Sequence, residues 1–140
     1  MAARLRSLLA GKPPASLGLH GDALGPCPST PNCVSSRAGD ARHAVTPLAF
    51  DGPGDDAWRR LVAAVGATPG ARIVGSNGGY LHAECSSATL GFVDDLEAQL
   101  DEKAGLIHLR SASRLGRYDF GANRARIEAL RRDFAAAAMA

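Results

Sequence analysis

The sequence predicts a single α+β domain of two layers, in which two helices cover one face of a roughly four-stranded antiparallel sheet. Helical periodicity occurs at two places in the chain, and four β-forming segments lie between them. The connections between these segments are short, which favours antiparallel pairing. A chain of 140 residues has the length of one domain, so we expect one hydrophobic core.

The N-terminal part has no periodic pattern. Residues 1–24 mix glycine, proline and alanine, which indicates a flexible arm that could dock as the chain approaches Pro26. The folded domain is therefore predicted over residues 25–140. Its first segment, Cys27 to Cys33, contains prolines that fix the backbone and exclude a helix, so we expect an ordered loop there.

Two segments have apolar residues at helical spacing. The first runs from Asp55 to about Ala67, and glycines from Gly66 onward end it. The second runs from about Phe120 to Ala138. The apolar positions that define them are Trp58, Leu61, Val62 and Val65 in the first and Ile127, Leu130 and Phe134 in the second.

The four predicted strands are Ala71 to Gly75, Gly79 to Cys85, Thr89 to about Leu100, and Gly105 to Ser113. Side chains alternate between the two faces of a strand, so Ile107, Leu109, Ser111 and Ser113 share one face. We assign that face to the helices because its first members are apolar. His108, Arg110 and Ala112 then point to the opposite side.

Composition excludes two classes of protein. The net charge of +2 argues against a dedicated nucleic-acid binder, and no apolar run approaches the roughly 18 residues of a membrane span. Arg4 and Arg6 are followed by only a short apolar stretch, which is too short for a secretory signal. We therefore expect a cytoplasmic protein. The sequence predicts no cofactor and leaves the oligomeric state open.

Four local patterns occur together: Cys-Pro-x-x-Pro-Asn-Cys-Val-Ser-Ser at 27–36, Phe-Val-Asp-Asp-Leu-Glu at 92–97, Arg-Ser-Ala-Ser-Arg-x-Gly at 110–116, and Asp-x-Gly-x-Asn-Arg-x-Arg-Ile-Glu at 119–128. In combination they resemble the domain-of-unknown-function-1499 family of bacteria and plastid-bearing organisms, over about residues 18–134. The resemblance implies no particular activity. Many members of the family look exported or membrane-anchored, which contrasts with the cytoplasmic location expected from this chain.

The passage from the last strand into the last helix is the best candidate site. Asn123 lies at the centre of the apolar face of that helix, where its amide needs partners. Asp119 is a plausible cap, and the helix start can hold an anion. Asp94 points to the same side from the adjoining strand, and a half-buried carboxylate there needs a guanidinium partner. The predicted site residues are Asp94, Arg110, Ser111, Ser113, Arg114, Asp119, Asn123, Arg124 and Arg126.

Three interpretations of these residues stay open. In the first, they form a pocket for an anionic small molecule or a surface for a partner protein. In the second, Asp94 or Asp119 acts as the acid or base of an enzyme, although no activated nucleophile identifies a reaction. In the third, they form a buried network that ties the strand to the helix, with no ligand.

The opposite sheet face carries polar residues that the sequence predicts to be solvated, and this face could dock a partner. They are Tyr80, His82, Glu84, Asp95, Glu97, His108 and Arg110. Two imidazoles and a carboxylate could hold a divalent metal, but the sequence has no short-spaced histidine motif, so we predict no metal site.

The cysteines leave a further alternative open. Cys27 and Cys33 are too far apart in sequence for a zinc knuckle. A disulfide between them fits an exported relative, whereas in a reducing cytosol they would be thiols, and redox-sensitive ones are one option. Cys85 alternates with core positions of its strand, which favours packing over nucleophilic catalysis.

Overall fold

The computed structural model describes residues 8–87 and 90–138, and residues 8–10 are helical. The main elements are β1 (Leu19–His20), β2 (Ala23–Leu24), β3 (Cys33–Ser35), β4 (Leu48–Ala49), α1 (Gly54–Gly66), β5 (Ala71–Asn77), β6 (Tyr80–Ser86), β7 (Val93–Asp101), β8 (Leu106–Ser113) and α2 (Ala122–Ala138). The predicted α+β class with an antiparallel sheet is confirmed. The predicted start of the third strand at Thr89 and the first seven residues of the arm lie outside the described residues.

The number of strands was predicted wrongly. Within the described residues, the main sheet has six strands in the order β3-β8-β7-β6-β5, with β4 also paired to β8, and β1 and β2 form a separate hairpin. Both β3 and β4 run antiparallel to β8, where Val34 pairs with Ser111 and Leu48 pairs with Ile107. Each is only two or three residues long, so neither shows the alternation by which a strand is recognised.

The core lies between the helices and one face of the main sheet, as predicted. Its members on the sheet side include Leu81, Leu96, Ile107 and Leu109. Its members on the helices include Leu61, Val65, Ile127, Leu130 and Phe134. The apolar spacing that predicted both helices therefore also identified the side chains they bury.

The opposite face of the sheet is not solvated, which corrects our prediction. Glu97 is 0% exposed and Arg110 is 2% exposed. Residues 18–26, which we call the N-terminal cover, lie over this face: the Gly18 N–H donates to Glu97 Oε2 at 2.9 Å, and the carbonyl of Pro26 accepts from Arg110 at 3.2 Å. The cover belongs mostly to the predicted N-terminal arm, and polar residues of the sheet became buried because a distant segment packs on them.

No helix within residues 8–87 and 90–138 is both long and apolar enough to cross a membrane.

Candidate functional site

The sheet divides the predicted site residues into two groups. Ser111, Ser113 and Asp94 meet α2 on the helix face, whereas Arg110 and Arg114 pair with carboxylates under or beside the N-terminal cover. The reason is the two-residue period of a strand, which places positions 110, 112 and 114 on one side. Our grouping of Arg114 with Ser111 and Ser113 is therefore corrected.

On the helix face, Asn123 is the centre of a hydrogen-bond network. Its Oδ1 accepts from Ser111 Oγ at 2.7 Å, and its Nδ2 donates to Ser113 Oγ at 2.9 Å. The same Nδ2 lies 3.2 Å from the carbonyl oxygen of Asn32 and 2.8 Å from Asp119 Oδ2. Asn123 is fully buried, so these bonds satisfy an amide that would otherwise destabilise the apolar face of α2.

Arg126 extends this network to β7. Its Nη1 donates to Asn123 Oδ1 at 2.9 Å and to Ser111 Oγ at 3.1 Å. Its Nη2 donates to Asp94 Oδ2 at 2.8 Å. Arg126 is thus the guanidinium partner that the half-buried position of Asp94 requires, and it joins α2 to β7 and β8 at once.

Asp119 occupies the helix start where the sequence suggested an anion could bind. Its Oδ1 accepts from the Gly121 N–H at 2.9 Å, and its Oδ2 accepts from the Asn123 N–H at 3.1 Å. Burial alone would raise the pKa of Asp119, but the N–H donors of Asn123 and Gly121 outweigh it and hold the pKa below the ordinary value. The side chain is therefore a helix cap in its ionised form and a poor general acid.

We call the sheet face beneath the N-terminal cover the cover face. There, Arg114 donates two hydrogen bonds of 2.8 Å to Asp95, from Nε and Nη2, and also pairs with Glu84. Burial would raise the pKa of Asp95, but hydrogen bonds from Arg114 and His82 hold it below the ordinary value. The same pairing raises the pKa of Arg114. Arg114 is therefore engaged in a bidentate ion pair rather than presented to a ligand.

Glu97 and Arg110 form the most buried ion pair of this face, with 3.3 Å between Oε1 and Nη1. The Tyr80 hydroxyl donates to Glu97 Oε2 at 2.5 Å. Burial, together with this charged neighbour, raises the pKa of Tyr80. Among the residues that the structure describes, no group of three or more histidines, cysteines and carboxylates is arranged to hold a metal ion.

Arg124 lies apart from both groups. Its Nη1 donates to the carbonyl of Ala44 at 2.9 Å, and its Nη2 donates to the carbonyl of Arg42 at 3.1 Å. All four arginines predicted to bind a ligand thus already donate to carboxylates or carbonyls of this chain. Such pairing within the chain is what the structural interpretation of the arginines requires, although Arg110 Nε has no partner among the described residues.

A cleft, which we call the end cleft, opens beside the helix-face network. One interpretation of the sequence placed a pocket of polar residues in this region, but it did not predict the apolar side chains that line the cleft. Its volume is about 420 Å³. Apolar side chains form most of its walls, and Asp94, Ser113, Asp119 and Arg126 give it a polar side. The apolar lining includes Phe92, Val93, Leu115, Tyr118 and Phe120.

Aromatic residues at the cleft are unusually exposed. Phe120 is 101% exposed and Tyr118 is 73% exposed. Phe120 also has a φ of 53°, a left-handed conformation that is rarely adopted by bulky residues. The signal in the sequence is Tyr118-Asp119-Phe120-Gly121, two aromatics in a turn, which we interpreted only as the start of a helix.

The two cysteines of the predicted ordered loop are joined by a disulfide, and we call residues 27–33 the disulfide loop. Cys33 is fully buried as the first residue of β3, whereas Cys27 is partly exposed. Cys85 is free and buried, and burial raises the pKa of its thiol. A raised pKa disfavours the thiolate form that a nucleophile needs.

The structure thus defines a small α+β domain with a ligand-sized cleft beside a saturated polar network. Residues 23–134 match the model of a family described as a protein of unknown function, DUF1499, and the chain belongs to that family. The resemblance seen in the sequence is therefore confirmed. Neither the curated proteins nor the solved structures contain a match to this chain.

Proposed function

We propose that the protein is a binding module, rather than an enzyme, and that its ligand is a small amphipathic molecule that occupies the end cleft. Most of the residues that line the cleft fall between Arg110 and Arg126, the region that the sequence singled out. Its volume of about 420 Å³ falls in the range of small-molecule sites, and its walls are mainly apolar with a few polar groups on one side.

The exposure and conformation of Phe120 carry this proposal. A left-handed backbone conformation destabilises a non-glycine residue by about 1 kcal/mol. Because the Phe120 ring is fully exposed, no packing interaction in the free protein offsets this cost. Asp119 and Gly121, on either side, hold the turn through the bond from the Gly121 N–H to the Asp119 carboxylate. A ligand that covers the ring would offset this cost.

The charges of the cleft suggest how the ligand is held. Arg126 contributes one positive charge and Asp94 and Asp119 contribute two negative charges, so the polar wall has no positive excess that would favour an anion. We therefore place most of the affinity in the apolar part of the ligand. A carboxylate or other anionic head group, as the arginine-rich sequence first suggested, is allowed but not required.

A larger groove of about 660 Å³ lies near the start of α1 and the end of α2, but it supports a weaker case. Its two arginines donate to main-chain carbonyls, Arg60 to Phe134 and Arg131 to Pro47. The strongly exposed aromatics Tyr118 and Phe120 line the end cleft instead.

The test is to titrate the full-length protein with the fluorescent apolar probe N-phenyl-1-naphthylamine and to compare the parent with two variants. Phe120→Asn keeps a residue that tolerates the left-handed conformation but removes the ring. We expect it to weaken binding about tenfold or more, because a buried phenylalanine contributes about 1.5–3 kcal/mol. Its free energy of unfolding should equal that of the parent or exceed it by up to about 1 kcal/mol, because no packing is lost.

Leu19→Asn is the matched control, since Leu19 is also an exposed apolar residue but lies on β1. It should bind the probe as the parent does. Displacement of the probe by dodecanoate and by dodecanol then tests the head group, and similar affinities are expected. Absence of saturable binding in the parent, or equal weakening by both substitutions, would refute the proposal. A strong preference for dodecanoate would instead support an anion site.

A further inference from the structure

We propose that the Cys27–Cys33 disulfide is a redox site that controls the end cleft, and that Asn32 transmits its state. This inference rests on the proposed function, because it assigns a regulation to the same cleft. It starts from the position of Asn32, which directly precedes Cys33 in the disulfide loop and contacts both the cleft wall and the Asn123 network.

Asn32 is buried, and both the oxygen and the nitrogen of its side-chain amide form hydrogen bonds. Its Nδ2 donates to the carbonyl of Gly116 at 2.8 Å, and its Oδ1 accepts from Thr30 Oγ1 at 2.8 Å. Gly116 lines the end cleft, in the turn that leads from β8 towards Tyr118 and Phe120. One wall of the cleft is thus attached to the disulfide loop by a side-chain bond.

The main chain of Asn32 makes a second connection. Its carbonyl accepts from the Ser113 N–H at 3.0 Å and from Asn123 Nδ2 at 3.2 Å. Ser113 and Asn123 belong to the network that positions Arg126 on the polar wall of the cleft. A shift of Asn32 would therefore disturb both the turn on one side of the cleft and the polar groups on the other.

The disulfide restrains Asn32 because it closes a short ring. Its two cysteines are six positions apart, with Asn32 next to the buried end and Cys27 at the partly exposed end. When the bond is cleaved, β3 still pairs with β8 at Cys33 and Ala112, but the chain from Cys27 to Asn32 loses its covalent restraint. We expect the turn at Gly116 to loosen while the sheet persists.

We take a dithiol as the reductant. One of its thiolates attacks the sulfur of the partly exposed Cys27, the S–S bond breaks, and Cys33 leaves as a thiolate that takes up a proton. The second thiol of the reductant then displaces the Cys27 sulfur from the mixed disulfide. In total, two electrons and two protons pass to the protein, which gains two thiols, and the dithiol becomes a disulfide.

The experiment compares the oxidised full-length protein with the same protein reduced by dithiothreitol, both carrying Cys85→Ala so that only the bonded pair titrates. Amide hydrogen exchange at Ser113 reports on the Asn32 carbonyl without any ligand. Titration with N-phenyl-1-naphthylamine reports on the cleft. We expect faster exchange at Ser113 on reduction and about fivefold weaker probe binding, within the usual range of coupling between sites.

A triple variant, Cys27→Ala/Cys33→Ala/Cys85→Ala, is the matched control. It should behave as the reduced protein does and should not respond to dithiothreitol. Unchanged exchange and affinity, when thiol titration shows complete reduction, would overturn the inference. So would equally faster exchange throughout α2 and β6, since reduction would then act on global stability. If exchange at Ser113 responds but the probe binds neither state, the coupling stands and the proposed function fails.

Discussion

Both faces of the sheet bury polar side chains, but different interactions satisfy these side chains on each face. On the helix face, Asn123 and Arg126 link α2 to the ends of β7 and β8 and leave a cleft open beside them. On the opposite face, Glu97 and Arg110 form an ion pair that the N-terminal cover closes off. Both networks bury polar groups in a small domain, and the first lies beside the end cleft.

The two networks also differ in how completely their groups are satisfied. On the helix face, both ends of the Asn123 amide have partners. On the cover face, Arg110 Nε is buried and has no hydrogen-bond partner within the part of the chain that the structure describes. A buried ion pair is costly to form and still more costly to break, so the cover face should respond most strongly to substitution.

The largest effect is therefore expected from Arg110→Met. The substitution leaves Glu97 fully buried without its counter-charge, and we expect the free energy of unfolding to fall by about 3–5 kcal/mol. Urea denaturation at neutral pH measures the change. The bonds from Tyr80 and Gly18 to Glu97 would remain, but neither supplies a positive charge.

The double variant Glu97→Gln/Arg110→Met tests whether the loss of stability comes from the unpaired charge of Glu97 or from lost packing of the Arg110 side chain. Glutamine still offers an oxygen to Tyr80 and Gly18 but carries no charge, so most of the lost stability should return. If the double variant is as unstable as the single one, the loss comes from packing of the arginine stem, and the ion pair is not what distinguishes this face.

A smaller effect is expected from Asn123→Ala on the helix face. The substitution removes partners of Ser111, Arg126 and the Asn32 carbonyl, and unsatisfied groups of this kind cost about 1–3 kcal/mol. Arg132→Ala, at an exposed position of the same helix, should change stability by less than about 0.5 kcal/mol. A loss for Asn123→Ala no larger than that of Arg132→Ala would mean that the network does not stabilise the fold.

The spacing of apolar residues predicted the helices and the longer strands, because neighbouring residues in the sequence determine these elements. The spacing of Leu61 and Val65, and of Ile127, Leu130 and Phe134, predicted both helices and their buried faces, and alternation predicted β5 to β8. The strands β3 and β4 could not be predicted in the same way because they are short and exist only through pairing with β8. Their partner is distant in sequence, and no pattern within two or three residues specifies it.

The candidate site was predicted in part for the same reason. Asn123, Ser111, Ser113, Asp119 and Asp94 were placed together correctly because each lies on a predictable face of a strand or helix. Arg114 and the polar cover face were misjudged. Whether polar residues on a sheet are solvated depends on a segment some 60 to 80 residues away, as the bonds from Gly18 to Tyr80 and Glu97 illustrate. The end cleft is likewise lined by residues from different parts of the chain, among them the ends of β7 and β8, the segment after β8 and α2.

The smallest predicted effect is on the pH dependence of stability, which should differ between groups on the two faces of the sheet. His108 lies on the same face as Arg110, with its Nδ1 3.0 Å from Ser36 Oγ and its Nε2 3.8 Å from an Asp101 oxygen. Burial, together with the charge of Arg37, lowers the pKa of His108 below 6.5, and Asp101 only partly opposes this. On the helix face, the lowered pKa of Asp119 affects stability only where its carboxyl titrates, below about pH 4.

Between pH 7 and 5 the unfolded chain therefore binds a proton at His108 before the folded chain does. Stability should decrease as the pH falls through about 6.5 and should level off once the folded histidine is also protonated. Urea denaturation across this range measures the slope, and His108→Gln should reduce it. An unchanged slope in His108→Gln would show that the cover face does not exclude protons from this ring. The closed character of that face would then rest on its buried ion pairs, Glu97–Arg110 and Asp95–Arg114.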